Sequence, residues 1–330
     1  MKVHKQILVF VIFIILANSR EGLSQDFMDI RVHDPVMIKE GDTYYLFCTG
    51  WGISVYSSTD MQEWKEEERV FENPPQWAID AIAGFKGHIW APDISHHEGQ
   101  YYLYYSVSAF GKNTSCIGVA TNKTLDPNHP DFKWVDHGKV IQSIPGRDLW
   151  NAIDPNLAFD DQDNPWMTFG SFWSGMKLVK MDESLSKIAE PQEWYTISKR
   201  ERDFTTDDYK AGEGAVEAPF IFKKNGYYYL FVSFDKCCKG VESTYKIMVG
   251  RSENIAGPYY DKAGERMDQG GGSLVLQGNE SWSGVGHNSA YTFDGKDYLV
   301  SHAYDLKDEG KPKLIIREIS WKEGWPVVSW

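Results

Sequence analysis

Cysteine is scarce in this chain. Its four cysteines, Cys48, Cys116, Cys237 and Cys238, are too few and too irregularly spaced for a disulfide scaffold. No two stand in a CxxC spacing, which argues against a zinc site built on thiolates. Cys48 and Cys116 sit in strand-like runs and are expected to be buried thiols. Cys237 and Cys238 are neighbours, and two readings stand side by side: a vicinal disulfide, or two buried free thiols. Positive charge is also in deficit, 34 Lys and Arg facing 47 Asp and Glu for a net charge of −13. Such a balance argues against a nucleic-acid or anionic-membrane partner and otherwise serves solubility. No stretch has the period of a long amphipathic helix. Gly270-Gly271-Gly272 opens no helix and is therefore no phosphate loop. The apolar run at residues 7–17 is too short for a comfortable membrane span. With Lys2, His4 and Lys5 before it and small residues after, it reads as a secretory signal over residues 1–25. No cysteine precedes Cys48, which argues against a lipid anchor. Residues 26–330 are then expected to form a single exported domain, periplasmic or secreted, acting as a monomer without membrane insertion.

What the chain does have is aromatic residues, 15% of the total, gathered in strand-like runs. It also has a repeat. His33-Asp34-Pro35, Ala91-Pro92-Asp93, Ile153-Asp154-Pro155 and Glu217-Ala218-Pro219 share one pattern. In three of these copies an aromatic run follows the proline: Tyr44-Tyr45-Leu46-Phe47, Tyr101-Tyr102-Leu103-Tyr104 and Tyr227-Tyr228-Tyr229-Leu230. A fifth copy, Gly286-His287-Asn288 followed by Asp297-Tyr298-Leu299-Val300, keeps the spacing without the proline. Turns such as Asn225-Gly226 and Asp294-Gly295 between β-rich runs are hairpin signals. Asp161-Gln162-Asp163-Asn164 reads as another hairpin turn, since it lacks the glycine and distal glutamate of a calcium loop. Five repeats of roughly sixty residues, each with about four short strands, predict an all-β fold, a five-bladed β-propeller. The polar connection at residues 198–214 reads as a solvated loop, or as a rim over the binding face.

The repeat gives three carboxylates a common address. Asp34, Asp154 and Glu217 head repeats one, three and four, and their shared register predicts that they face one axis. That trio suits glycoside hydrolysis, which needs one acid to protonate the leaving oxygen and one carboxylate to activate water. A third carboxylate nearby is expected to raise the acid's pKa by charge repulsion. Asp93 breaks the register, following its proline, and a structural role is expected for it.

These stretches, with Trp90-Ala91-Pro92-Asp93-Ile94, Asn151-Ala152-Ile153-Asp154-Pro155-Asn156 and Gly170-Ser171-Phe172-Trp173-Ser174-Gly175, resemble glycoside hydrolase family 43, in particular its endo-α-1,5-L-arabinanases. Glu217-Ala218-Pro219-Phe220-Ile221, Cys237-Cys238, Gly257-Pro258-Tyr259, Gly286-His287-Asn288 and His302-Ala303-Tyr304-Asp305 extend the resemblance in order along the chain. The resemblance implies a five-bladed propeller that cleaves arabinan or arabino-oligosaccharides in one step with inversion. By motif, Asp34 resembles the general base, Glu217 the general acid, and Asp154 the residue that tunes and orients the acid. His287 resembles a histidine that holds a central calcium through water, an unusual anchor for an ion that prefers oxygen. Trp90, Phe110 and Trp173 are the candidate sugar platforms. The rivals are exo-acting arabinofuranosidase or β-xylosidase action on the same fold, or a non-catalytic carbohydrate-binding propeller.

Overall fold

Short strands bounded by turn residues cannot bury a face alone, so each repeat folds into an antiparallel meander and packs on the next. The computed structural model describes residues 30–330; the expected export signal at residues 1–25 lies outside them. Five sheets follow one another in chain order, as the repeat predicts. Blade one holds Val36–Glu40, Thr43–Cys48, Ser54–Ser58 and Lys65–Glu67. Blade two holds His88–His97, Gln100–Ser108, Ser115–Asn122 and Val135–Ser143, with the short strand Gly50–Trp51 added to its inner edge. Blade three holds Asn156–Phe159, Pro165–Phe169, Met176–Lys180 and Trp194–Ser198. Blade four holds Val216–Lys224, Tyr227–Phe234, Lys246–Ser252 and Ser273–Gln277. Blade five holds Trp282–Phe293, Lys296–Asp305, Lys311–Lys322 and Trp325–Val327. Among the described residues the only α-helix is Gln76–Ala81, and no helix is long and apolar enough to cross a membrane.

The turn chemistry acts as expected. Asn225-Gly226 and Asp294-Gly295 each place both residues at positive φ, 51° and 80°, 50° and 80°, the geometry that matches strand twist in a two-residue hairpin. Asp161 to Asn164 joins the first two strands of blade three. The aromatic and aliphatic faces meet between blades. Phe47 and Val55 of blade one share a core with Leu103 and Tyr105 of blade two, and equivalent clusters fill the four remaining junctions.

Among the described residues no blade mixes strands from the two ends of the chain. Blades one and five close the ring by packing, side-chain bonds and one isolated backbone bridge. Met37, Leu46 and Cys48 pack on Val300, Leu314 and Ile316. An isolated bridge pairs Arg31 with Lys313, and Lys39 meets Asp294 at 2.7 Å. Tyr291 adds its hydroxyl, which accepts from the Met37 N–H at 3.1 Å. Cys48 and Cys116 are buried free thiols, as expected.

Candidate active site

Each innermost strand is broken where it nears the axis. Pairing skips from Trp90 to Asp93, from Glu217 to Phe220 and from Gly286 to Ser289, and in blades one and three the strand begins just after the equivalent point. One residue at every break has positive φ: Asp34 at 53°, Ala91 at 41°, Asp154 at 57°, Ala218 at 55° and His287 at 49°. A residue other than glycine held there costs about 1–2 kcal/mol, which surrounding contacts must offset. Pro35, Pro92, Pro155 and Pro219 follow four of them and have no N–H to leave unpaired at the break.

This geometry corrects the register read from sequence. Asp34 and Asp154 are equivalent, but blade four's equivalent residue is Ala218. Glu217 stands one residue earlier, level with His33, Trp90, Ile153 and Gly286. The site therefore draws on two adjacent levels of the ring.

A residue turned out of its ladder has an N–H to place, and the second strand of the preceding blade supplies the acceptor. Ala91 donates to Thr49 Oγ1 at 2.8 Å, Asp154 to Ser106 Oγ at 3.0 Å and His287 to Ser233 Oγ at 2.8 Å. Asp34 donates to His302 Nδ1 at 3.2 Å. Blade three has Gly170 at this position, the residue whose N–H meets Ile153 O as Thr49 N–H meets His33 O. Glycine offers no acceptor. Ala218 N–H turns instead to Asp154 Oδ2 at 3.1 Å. Asp154 is thereby held against the backbone that carries Glu217. The next residue, Ser171, donates its hydroxyl to Glu217 Oε2 at 2.7 Å.

The three carboxylates are buried but live in different fields. Asp34 Oδ1 meets His33 Nδ1 at 2.8 Å and His287 Nδ1 at 3.0 Å, while Oδ2 accepts from Thr49 Oγ1 at 2.6 Å. Burial opposes its ionisation, but His287 and His33 outweigh burial and hold the carboxyl well below the usual range. Glu217 moves the other way: burial raises it, against the Ser171 and Tyr245 hydroxyls, with the charge of Asp34 adding to the rise. Asp154 is pushed up to about 8 by burial, with Glu217 and Asp34 contributing. Desolvation, not charge repulsion alone, is the main cause of both rises. His287 is raised to about 9, since the Asp34 charge overcomes its burial. Burial keeps His302 well below the ordinary histidine value.

Just outward of the break lies a belt between blades. Asp93, 2% exposed, accepts from Leu157 N–H at 2.9 Å and from Asn156 Nδ2 at 3.1 Å. Asn156 Oδ1 accepts from Ile221 N–H at 2.9 Å, and Ser289 Oγ donates to Pro35 O at 3.0 Å. Asp93 is thus a structural fastener, as expected, and burial pushes it up to about 7.

Over the carboxylates opens a cavity of about 1480 Å³ that residues of all five blades line. Trp90, Phe110 and Trp173 all border it but differ in kind. Trp90 is half-buried, its indole N–H bonded to His88 Nδ1 at 2.9 Å. Phe110 is 80% exposed. Trp173 is buried in the wall and donates to Asp208 O at 3.0 Å, so the loop at 198–214 reaches the rim of the cavity, where it also places Ala211. Sequence reasoning passed over Trp51, which is 56% exposed in the same cavity and lies edge-on to His88. It gave no role to His33, Thr49, Ser171, His302 and Tyr304, although all but Thr49 lie in the stretches that carry the resemblance, because their partners lie in other strands or blades.

Calcium takes six to eight oxygen ligands. His287 offers one imidazole, and its Nδ1 already faces Asp34. Among the described residues the one close group of three ligand atoms is on His33, Asp34 and His302, and those residues hydrogen-bond to one another. The donors near the axis do not make a cage of protein oxygens, so an ion beside His287 would be held mainly by water.

Residues 27–326 match the profile of glycosyl hydrolases family 43. The chain is 57% identical, over 91% of its length and 87% of the relative's, to an extracellular exo-α-(1→5)-L-arabinofuranosidase of Cellvibrio japonicus. It is 44% identical, over 89% of its length and 87% of the relative's, to an extracellular endo-α-(1→5)-L-arabinanase of Bacillus subtilis. The structure of a Cellvibrio cellulosa α-L-arabinanase complexed with arabinohexaose superposes with a TM-score of 0.90 at 56% identity, covering 91% of this chain and 96% of that one. With the propeller and its three axial carboxylates already in view, these likenesses settle the kinship: the chain belongs to glycosyl hydrolase family 43.

Proposed function

We propose that the protein is an exported arabinanase that hydrolyses α-1,5-L-arabinofuranosidic bonds, mainly within the arabinan chain, by single displacement with inversion. One observation carries this reading: a single cleft holds one carboxyl far below its ordinary pKa and another above it. A base must be ionised and an acid protonated at the same pH, and these environments push the two groups apart in the required directions. Asp34, charged and fixed by two imidazoles and Thr49, takes the proton from water. Glu217, protonated and steadied by Ser171, delivers its proton to the leaving oxygen. Asp154 stays largely neutral and holds the Ala218 N–H, which fixes the approach of Glu217. Trp90 and Phe110 serve as sugar contacts in the cleft, whereas Trp173, expected as a third platform, is buried in the wall and only shapes it. Export is supported by the character of residues 1–25 and by relatives that are themselves extracellular.

Internal cleavage is supported by the cavity, larger than the roughly 300–1,000 Å³ that a single small ligand fills. The relative at 57% identity is exo-acting, which favours release from a chain end as the second reading. Digestion of linear debranched arabinan separates the two. A spread of oligosaccharides early in the reaction marks internal cleavage, whereas one small product from the outset overturns it. NMR of the first-formed anomer tests inversion. Calcium is part of the proposal as a hydrated ion beside His287, adding positive charge near the base. Elemental analysis of dialysed protein, with assays before and after chelation, tests it; a metal-free parent at full activity, unchanged by added calcium, removes the ion from the scheme.

A further inference from the structure

We propose that the loop closed by Cys237 and Cys238 orients the general base through Tyr304 and His33, both acting as positioning residues. The proposal rests on the assignment of Asp34 as the base.

Cys237 and Cys238 are joined as a vicinal disulfide, so of the two sequence readings the chain adopts the ring. Cys238 sits at φ 64°, a conformation that residues other than glycine seldom hold unaided. The loop is tied further by Lys239 N–H to Ser243 Oγ at 3.0 Å and Thr244 N–H to Lys236 O at 2.9 Å. Its product is one aimed donor: Cys238 N–H meets Tyr304 Oη at 2.8 Å. A phenol has a single proton. The backbone N–H and the Ser243 hydroxyl both stand against the phenol oxygen as donors, which turns its proton toward His33 Nε2 at 2.9 Å. His33 then accepts at Nε2 and carries its own proton on Nδ1, which faces Asp34 Oδ1 at 2.8 Å. The ring of His33 is also stacked on His302, with centroids 3.9 Å apart.

The chain of donors therefore runs from backbone N–H to phenol, to imidazole, to carboxylate, and each step fixes the next. It occupies Oδ1 of Asp34, shared with His287, and leaves Oδ2, already bonded to Thr49, to face the attacking water. Nothing in the proposed reaction otherwise uses the disulfide, although both cysteines border the cleft.

The test uses the full chain and a linear arabino-oligosaccharide. Tyr304→Phe keeps the ring and removes the relay; His33→Leu removes the donor to Asp34; His33→Asn restores a donor near the position of Nδ1. The first two are expected to lower kcat about 10-fold or more with KM changed less than about twofold, because the base is misaligned while binding is untouched. His33→Asn should recover most of that loss. The double change Cys237→Ser with Cys238→Ser should lower kcat in the same sense. Imidazole ¹⁵N–¹H correlation spectra give a readout independent of turnover: His33 carries its proton on Nδ1 in the parent, and Tyr304→Phe disturbs this. Folded Tyr304→Phe and His33→Leu at parent kcat, or an Nε2-protonated His33 in the parent, overturn the proposal. Parent kcat in the double serine variant removes the disulfide from the chain. A parent that leaves every arabino-oligosaccharide intact defeats the assigned activity instead, and the spectra still decide the positioning chain.

Discussion

Asp154 has two duties that its variants can separate. It accepts the Ala218 N–H, and it sits protonated beside Glu217. Asp154→Asn keeps an acceptor and removes the titration, whereas Asp154→Ala leaves a buried N–H unpaired at a cost of about 1–3 kcal/mol. Urea unfolding should therefore rank alanine below asparagine; equal stabilities would show that the N–H finds another partner. The pH dependence has a definite sign. Between the ordinary value of 3.8 and about 8, the folded protein keeps a proton on Asp154 that the unfolded chain has released. Stability from this group is complete below that window and is lost as pH rises through it, and Asp154→Asn should flatten that part of the profile. Glu217→Gln and Asp34→Asn should each abolish cleavage of unactivated arabinan while melting cooperatively; near-parent turnover in either would end the acid–base assignment. His287→Ala withdraws the strongest charge holding Asp34 low, so the acidic limb of kcat/KM should move to higher pH.

At the scale of the strand, function and fold use neighbouring positions. The broken innermost strand turns Asp34, Asp154 and His287 toward the cleft, while two residues further on Asp93 and Asn156 fasten blades together. Asp93→Ala would strand Leu157 N–H and the Asn156 amide in the interior. A loss of about 2–4 kcal/mol is expected, with kcat unchanged in the protein that remains folded; chemical denaturation with active-site titration checks both. These levels also explain what sequence could show. Proline marks the break, so Asp34 and Asp154 were visible as equivalents. Glu217 was set one residue out because the carboxylate was aligned and the proline that fixes the register was not. Outer strands such as Lys65–Glu67 and Trp325–Val327 are short and partly exposed, and without alternation they left little trace. In the acceptor row of Thr49, Ser106, Ser233 and His302, only His302 lies in a recognisable stretch, and nothing local marks any of the four as an acceptor. Each acts across a blade boundary, and the gap at Gly170 has meaning only once the other four are seen.

Among the described residues the ring closes without an interlocking strand, and the closing junction carries the base. Asp34 belongs to the first blade, yet its N–H is received by His302, and its imidazole partners His33 and His287 are set by Tyr304 and Ser233 from the last two blades. During synthesis Asp34 emerges early with His33 and Thr49, while His287, His302 and Tyr304 emerge late. A chain that has made four blades already contains Asp34, Asp154 and Glu217, but its water-activating carboxylate has neither His302 nor His287 beside it. The surroundings of the base are thus completed only by the final blade, a delay written into the order of the polypeptide, and a ring opened at this junction keeps its cleft walls but loses the setting of its base.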